Sequence, residues 1–288
     1  MPTNHKIVCF GEVLWDVLPN GARPGGAPVN VAYHLMKHGI DVSVITRIGN
    51  DASGKELRKI FSAKGIDTSL FQVDDKYETS RVLARIMDNH EVEYDIVRPV
   101  AWDHIEWKDE FIPLLADTDW FIFGSLASRE PGSRETLYRL LDQRCSKVFD
   151  VNLRKNCYTR ELIEDLLPHA DFVKMNEAEL ELISGWHRSL DTIPDQLQFI
   201  SDKYQLPDVV VTCGAEGAVM FSDGKIYKQA GLKVTVADTV GSGDAFLAGL
   251  LSRLLNGDVK SKALEYANSL GAFVAGKDGA CPEYDAPL

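Results

Sequence analysis

The sequence predicts an α/β fold: a three-layer α/β/α sandwich around a mostly parallel central sheet, with a small β element that could serve as a lid. Three observations carry that reading. Short runs apolar on both faces recur along the chain ("KIVCFG", "VSVITRIG", "WFIFGS", "KVFDV", "DFVKMN", "DVVVTCG"), and such runs belong to strands covered on both sides. Between them lie patterns with i, i+3, i+4 spacing, among them "PVNVAYHLMKHG", "ASGKELRKIFSAKG" and "SRETLYRLLDQR", so strand and helix alternate through right-handed crossovers. One stretch breaks the rhythm. "SRVLARIMDNHEVEYDIV" (80–97) reads as a hairpin around Asp88-Asn89-His90, because its two halves alternate and no crossover helix adjoins them. It is either a lid or interface element, or an edge extension of the main sheet.

In chain order, the first strand runs into "GEVLWD" (11–16), which places its acids, Asp16 among them, at a strand's C-terminal end, where open α/β sheets bind ligands. Next come Gly25 and Gly26 before a helix containing Asn30. Glycines allow close backbone approach and an Asn amide both donates and accepts; the bland alternative is a plain turn and a helix-surface residue. "GNDASGKE" (49–56) matches G-x-x-x-x-G-K after a strand, but Glu56 stands where a phosphate loop needs Ser or Thr for a metal, so no such loop is expected. Asp51 and Gly54 there shape a turn, either beside a ligand pocket or in a purely structural role. Arg154, in "DVNLR" after a strand, could meet a phosphate or substrate, or form a surface ion pair. "NEAE" (176–179) opens a helix with Asn176 as cap and Glu179 three positions on, the pattern of a capping box. "VTCGAEGAV" (211–219) ends a strand with Thr212, Gly214 and Gly217; its backbone can approach a phosphate or ribose, or simply turn a hairpin into "AVMFSDG".

The densest signal is "DTVGSGDAF" (238–246). It is expected to lie between an alternating strand at Leu232 to Ala237 and a helix, "DAFLAGLLSRLLNG", whose Phe246, Leu247, Leu250, Leu251, Leu254 and Leu255 form one apolar face ending at Asn256-Gly257. Gly241 and Gly243 flank Ser242 and leave backbone N–H groups unobstructed at the helix mouth, where the first turn's unpaired N–H groups add partial positive charge. That is an anion hole. A carboxylate beside it, Asp244, would repel a bound phosphate unless it accepts a proton from a hydroxyl approaching that phosphate. An acid in a first helical turn is also an ordinary dipole partner.

Composition narrows the function classes. The chain of 288 residues is 45% hydrophobic and 26% charged, which is ordinary for a globular protein. A net charge of −12 disfavours nucleic acid and anionic membrane as partners. Five cysteines (Cys9, Cys145, Cys157, Cys213, Cys281) form no CxxC pair, so neither a disulfide framework nor a zinc site is expected, and the reading is a reducing cytoplasm. "MPTNHKIVCFGEVLWD" lacks a sustained apolar core of the kind that export signals carry, and no apolar run approaches membrane-spanning length.

These residues carry a resemblance. "DTVGSGDAF" resembles the second signature of the PfkB (ribokinase-like) carbohydrate kinases, with Ser242 where Ala is usual; "GGAPVNVAYHLMKHGIDVSVITRIGNDASG" (25–54) is similar to the first, and "NEAE" and "VTCGAEGAV" follow in the family's order. The resemblance implies one ribokinase-like domain over residues 1–288, with a β lid formed by about 14–24 and 78–99 that also joins a homodimer. It implies transfer of the γ-phosphoryl group of ATP to a sugar hydroxyl, with Asp244 as base and 241–243 as anion hole. Asp16, Gly25, Gly26, Asn30 and Arg154 would face the sugar. Asn176 and Glu179 would organise waters on Mg²⁺; Thr212, Gly214 and Gly217 would border the phosphates or ribose; Asn268 and Ala272 would lie near adenine. Asp238 and carbonyls of "GKDGA" are candidates for a monovalent-cation site holding K⁺. "GGAPVNVA" and "GEVLWD" look most like the fructokinase branch, so fructose is the implied acceptor, with ribose and 2-keto-3-deoxygluconate as alternatives and a non-catalytic sugar or nucleotide sensor as the rival class.

Overall fold

The computed structural model describes residues 5–18, 21–86 and 92–287. Nine strands form the central sheet: β1 (Lys6–Phe10), β4 (Asp41–Gly49), β5 (Phe71–Asp74), β8 (Trp120–Gly124), β9 (Ser146–Asp150), β10 (Phe172–Asn176), β11 (Asp208–Thr212), β12 (Gly217–Ser222) and β13 (Lys225–Ala230). Their order is β13-β12-β11-β10-β9-β8-β1-β4-β5. Pairing is parallel from β5 through β11 and antiparallel at β11–β12 and β12–β13. The parallel part is apolar on both faces, as covered strands must be. In β1, Ile7 and Cys9 belong to one core and Val8 and Phe10 to the other.

Each core lies between one face of the sheet and an outer layer of helices. One is filled by α1 (Ala27–Lys37), α2 (Ala52–Ala63), α8 (Ser242–Leu255) and α9 (Lys260–Ala275), the other by α3 (Phe111–Ala116), α4 (Pro131–Leu141), α5 (Arg160–Leu166), α6 (Glu177–Gly185) and α7 (Ile193–Tyr204). The chain leaves β1 toward β4 and leaves β8 toward β9 on the opposite side. Their C-terminal ends therefore mark the switch point at which such sheets open a ligand crevice.

A second sheet stands apart. Its strands are β2 (Leu14–Leu18), β3 (Gly21–Gly25), β6 (Ser80–Ile86) and β7 (Val92–Ile96), in the order β3-β2-β6-β7, with β2–β6 parallel and the other pairs antiparallel. The 80–97 hairpin belongs to this sheet and does not extend the central one; its centre, Asp88-Asn89-His90, lies outside the described residues. Two anchors fix the sheet to the body. Asp51 caps α2 through Gly54 N–H at 2.7 Å and also accepts from Thr79 N–H at 2.8 Å. Arg129 donates to Val97 O at 2.9 Å and Ile96 O at 3.4 Å while Asp103 holds it at 2.7 and 2.8 Å. The Arg129–Asp103 ion pair is fully buried, and the guanidinium lies 4.1 Å from the centre of the Trp102 ring.

One element departs from expectation. Residues 232–237 alternate like a strand but form none. Leu232, Val234 and Val236 stand exposed, and Ala237 N–H bonds to Ala275 O at the end of α9. Among the described residues no strand pairs with this segment, and alternation without a partner is not a sheet. All five cysteines are free. Among the described residues no helix is long and apolar enough to cross a membrane, and no group of three or more His, Cys, Asp or Glu could hold a metal ion.

Candidate active site

A cavity of about 1040 Å³ opens at the C-terminal ends of the parallel strands. Its floor comes from strand ends: Glu12 after β1, Asn152 and Arg154 after β9, Lys174 and Asn176 on β10, Thr212 on β11. The loop into α8 and the helix's first residues, Thr239 to Asp244, close one side, α1 contributes Ala27 and Asn30, and the small sheet adds Leu14, Asp16, Val82 and Ile96.

Backbone geometry explains the glycines at the two helix starts. Gly241 has φ 77°, and a methyl there would lie 2.4 Å from Ala280 Cβ. Gly26 has φ 123°, and a methyl would lie 2.4 Å from the Glu12 carbonyl oxygen. Only glycine tolerates both the left-handed conformation and the contact. Gly25 leaves room for the Asp16 carboxylate, whose Oδ2 lies 2.6 Å from the position a Cβ would take.

Asp244 is buried, and Asn30 Nδ2 donates to its Oδ2 at 2.8 Å. Beneath it lies a pair the motif reading did not single out. Lys174 Nζ contacts Asp150 Oδ1 at 3.0 Å with the side chains 7% and 4% exposed, and a Cβ on Gly243 would stand 3.1 Å from that Nζ. The two residues face each other across β9–β10. Burial, then the like charge of Asp150, push the Asp244 carboxyl up to about 6, against the pull of Lys174, Asn30 and Arg154. Burial alone would lower the Lys174 ammonium, but Asp150, Asp244 and Glu179 outweigh it and raise it. Glu12 is pushed up to about 7, chiefly by burial, and accepts from Ala27 N–H at 3.2 Å. Such clustering of perturbed acids in a cleft marks a site of chemistry.

Asn176 and Glu179 form the expected capping box: Glu179 N–H donates to Asn176 Oδ1 and Asn176 N–H to Glu179 Oε2, both at 2.9 Å. Glu179 Oε1 also accepts from Leu153 N–H at 2.7 Å. Burial raises its pKa. Arg154 is exposed at the rim, where its charge acts on Glu12, Asp16 and Asp244.

Asp16, Gly26, Asn30, Arg154, Asn176, Thr212, Gly241, Ser242, Gly243 and Asp244 thus converge on one cavity, with Gly25 and Glu179 directly behind. Other expected residues lie outside its lining. Gly214 is exposed in the β11–β12 turn; Gly217 is buried, with φ 100° and room for no methyl, since Gln229 O would be 2.1 Å away. Asn268 spends its amide on Ala230 O at 2.9 Å, and Ala272 is half-buried on α9. Asp51 and Gly54 likewise act in the turn and do not line the cavity. Asp238 is held by Arg23 Nη1 at 2.9 Å.

The pfkB family carbohydrate kinase model matches residues 4–286. The chain belongs to the PfkB family of carbohydrate kinases. This kinase is 30% identical to an Escherichia coli fructokinase over 96% of this chain and 94% of that one. It is 26% identical to an aminoimidazole riboside kinase of Salmonella typhimurium, over 97% of this chain and 92% of that one. A double-mutant fructokinase from Vibrio cholerae O395, solved in fructose-, ADP- and potassium-bound form, superposes with a TM-score of 0.82 at 24% identity, over 97% and 94% of the respective chains. That last likeness shows the ribokinase-like fold alone.

Proposed function

We propose that this kinase transfers the γ-phosphoryl group of ATP to a primary hydroxyl of D-fructose, giving fructose 6-phosphate. The observation that carries the reading is the buried carboxylate of Asp244, oriented by Asn30, at the mouth of α8 in the same cavity wall as Gly241, Ser242 and Gly243. Asp244 takes the hydroxyl proton as the oxygen attacks; a base raised to about 6 is stronger than an ordinary aspartate yet still ionised at neutral pH. The N–H groups of 241–243 hold the charge on the transferring group. Lys174 sets a further positive charge under that turn. Asp16, Gly25, Gly26, Asn30 and Arg154 enclose the polyhydroxylated acceptor, while Thr212, Gly214, Gly217, Asn268 and Ala272 border the nucleotide.

Asp150 Oδ2 is buried without a hydrogen-bond partner, an acceptor that suits the coordinated waters of a hard divalent ion held through water and not by a ligand cluster. Glu179 and Asn176 would hold the waters of Mg²⁺, which neutralises phosphate charge when bound with ATP. The small sheet acts as a lid that excludes water from the transfer, and as the surface through which two copies pair, covering its strand edges. The protein works in the cytoplasm. Fructose as acceptor is supported by "GGAPVNVA" and by the fructokinase relative; a riboside acceptor is favoured by the aminoimidazole riboside kinase relative. A coupled ADP-release assay across fructose, ribose, aminoimidazole riboside and 2-keto-3-deoxygluconate separates them. Turnover on fructose is expected, and its absence retires fructose. Binding of ATP and sugar without turnover on any of them would leave a sensor.

A further inference from the structure

The resemblance leads one to expect a monovalent cation at Asp238 and the 276–280 loop, and a fructokinase of the same fold was solved with potassium. The donor set at Asp238 does not fit one. A hard cation collects oxygen atoms, whereas Asp238 collects N–H donors. Its Oδ1 accepts from Val240 N–H at 3.0 Å, and its Oδ2 from Arg23 Nη1 at 2.9 Å and Gly279 N–H at 3.4 Å. Arg23 Nη2 lies 3.9 Å from Asp278 Oδ1. A permanently charged, forked donor therefore stands between an acid of the loop before α8 and an acid of the loop after α9.

We propose that Arg23 takes the place of a bound monovalent cation in this kinase, its guanidinium joining Asp238 to Asp278 and so fixing the two loops that build the anion hole without potassium. The loops depend on each other sterically, because Gly241 packs on Ala280 so closely that a methyl would lie 2.4 Å from it. Asp238 in turn holds the Val240 N–H, one residue before Gly241. Where these loops sit decides where the N–H groups of 241–243 point. The side chains of Arg23 and Asp238 are 33% and 18% exposed, so the pair is of the partly solvated kind that adds little to global stability; its effect is positional. Arg23 also faces Asp16 in register across β2–β3. The unit charge is thus carried by the same strand pair that presents a carboxylate to the sugar, so one side chain links the acceptor side of the cavity to the phosphate side.

The test compares wild type with Arg23→Gln in potassium, sodium and choline chloride at equal ionic strength of about 0.1 M, which equalises screening. Thermal melting is read first, without ATP or sugar. The wild-type midpoint is expected to agree across the three salts, whereas the variant is expected to melt higher in potassium than in choline, because a cation that binds only the folded variant stabilises it. Turnover is read second. Wild type should be equally fast in all three salts, and Arg23→Gln should lose about tenfold in choline, the scale of a disturbed positioning contact, with partial recovery in potassium or added guanidinium. A wild-type enzyme whose melting midpoint or turnover rises in potassium over choline would overturn the assignment. So would a variant as fast as wild type in choline. The assignment of Arg23 goes beyond the sugar reading, and the melting arm decides it even if no sugar tried is a substrate.

Discussion

Replacing Asp244 by Asn should make the enzyme more stable as it becomes less active. The buried carboxylate titrates at about 6 instead of an ordinary 3.8, so holding it ionised costs the folded protein on the order of 3 kcal/mol at pH well above 6. The sign follows from linkage. The folded pKa lies above the unfolded one, so this group's contribution to stability is fully present below about pH 4 and is lost as pH rises through 6. Asn cannot ionise, and its carbonyl oxygen can still accept from Asn30 Nδ2, which now donates to Asp244 at 2.8 Å. The variant should therefore melt higher than wild type by roughly 5 °C at pH 8, with the gain shrinking toward zero as pH falls to about 4. Turnover should drop by about 10²- to 10⁴-fold, the usual worth of a general base, while ATP and sugar affinities stay close to wild type. Calorimetric melts across pH, together with steady-state kinetics, check both halves. A variant that melts below wild type at pH 8, or one that keeps its turnover, refutes the account of Asp244.

Other perturbations follow from the same geometry. Wild-type kcat should fall on the acid side with a midpoint near pH 6 as Asp244 protonates, and a profile flat down to about pH 4.5 would exclude it as the base. Lys174→Met strands the buried Asp150 carboxylate and should cost about 3–5 kcal/mol by denaturant melts, most of it recovered in an Asp150→Leu/Lys174→Met double variant. Gly241→Ala should abolish nucleotide binding by calorimetry, because its methyl meets Ala280 at 2.4 Å; Gly185→Ala, whose methyl would meet nothing within 4 Å, should leave it intact. Glu179→Gln should raise the Mg²⁺ concentration needed for half-maximal turnover in a metal titration, an unchanged requirement removing Glu179 from the metal's surroundings.

The central sheet and most of its helices were legible because each strand announces itself by composition: "KIVCF" and "DVVVT" are too apolar to face water on either side. The glycine turn at 241–243 was legible too, since glycines clustered ahead of a strongly apolar helix pattern mark where that helix starts. The Lys174–Asp150 pair was not singled out. Its signal was a lysine and an aspartate inside otherwise apolar strand runs, "FVKMN" and "SKVFD", but only their register across β9–β10 shows that each answers the other's charge. The 232–237 segment misled because alternation reports which residues could line a sheet, and a ladder partner is a property of the rest of the chain. For Asn268 the helix pattern offered only a small polar residue that could border a base; the tie of its amide to the Ala230 carbonyl shows only in the structure. Arg23 carried no local pattern at all, since its partners Asp238 and Asp278 lie at the far end of the chain.

The contact of Arg129 with the carbonyls of Ile96 and Val97 makes the stem of the small sheet part of the α/β body. With Thr79 held by Asp51 just before β6 and Val97 held by Arg129 just after β7, both strand roots of the small sheet are tied to the body. Losing the Arg129 guanidinium would free the end of β7 while leaving the Asp51 tie next to β6, so the two roots of the sheet are secured independently.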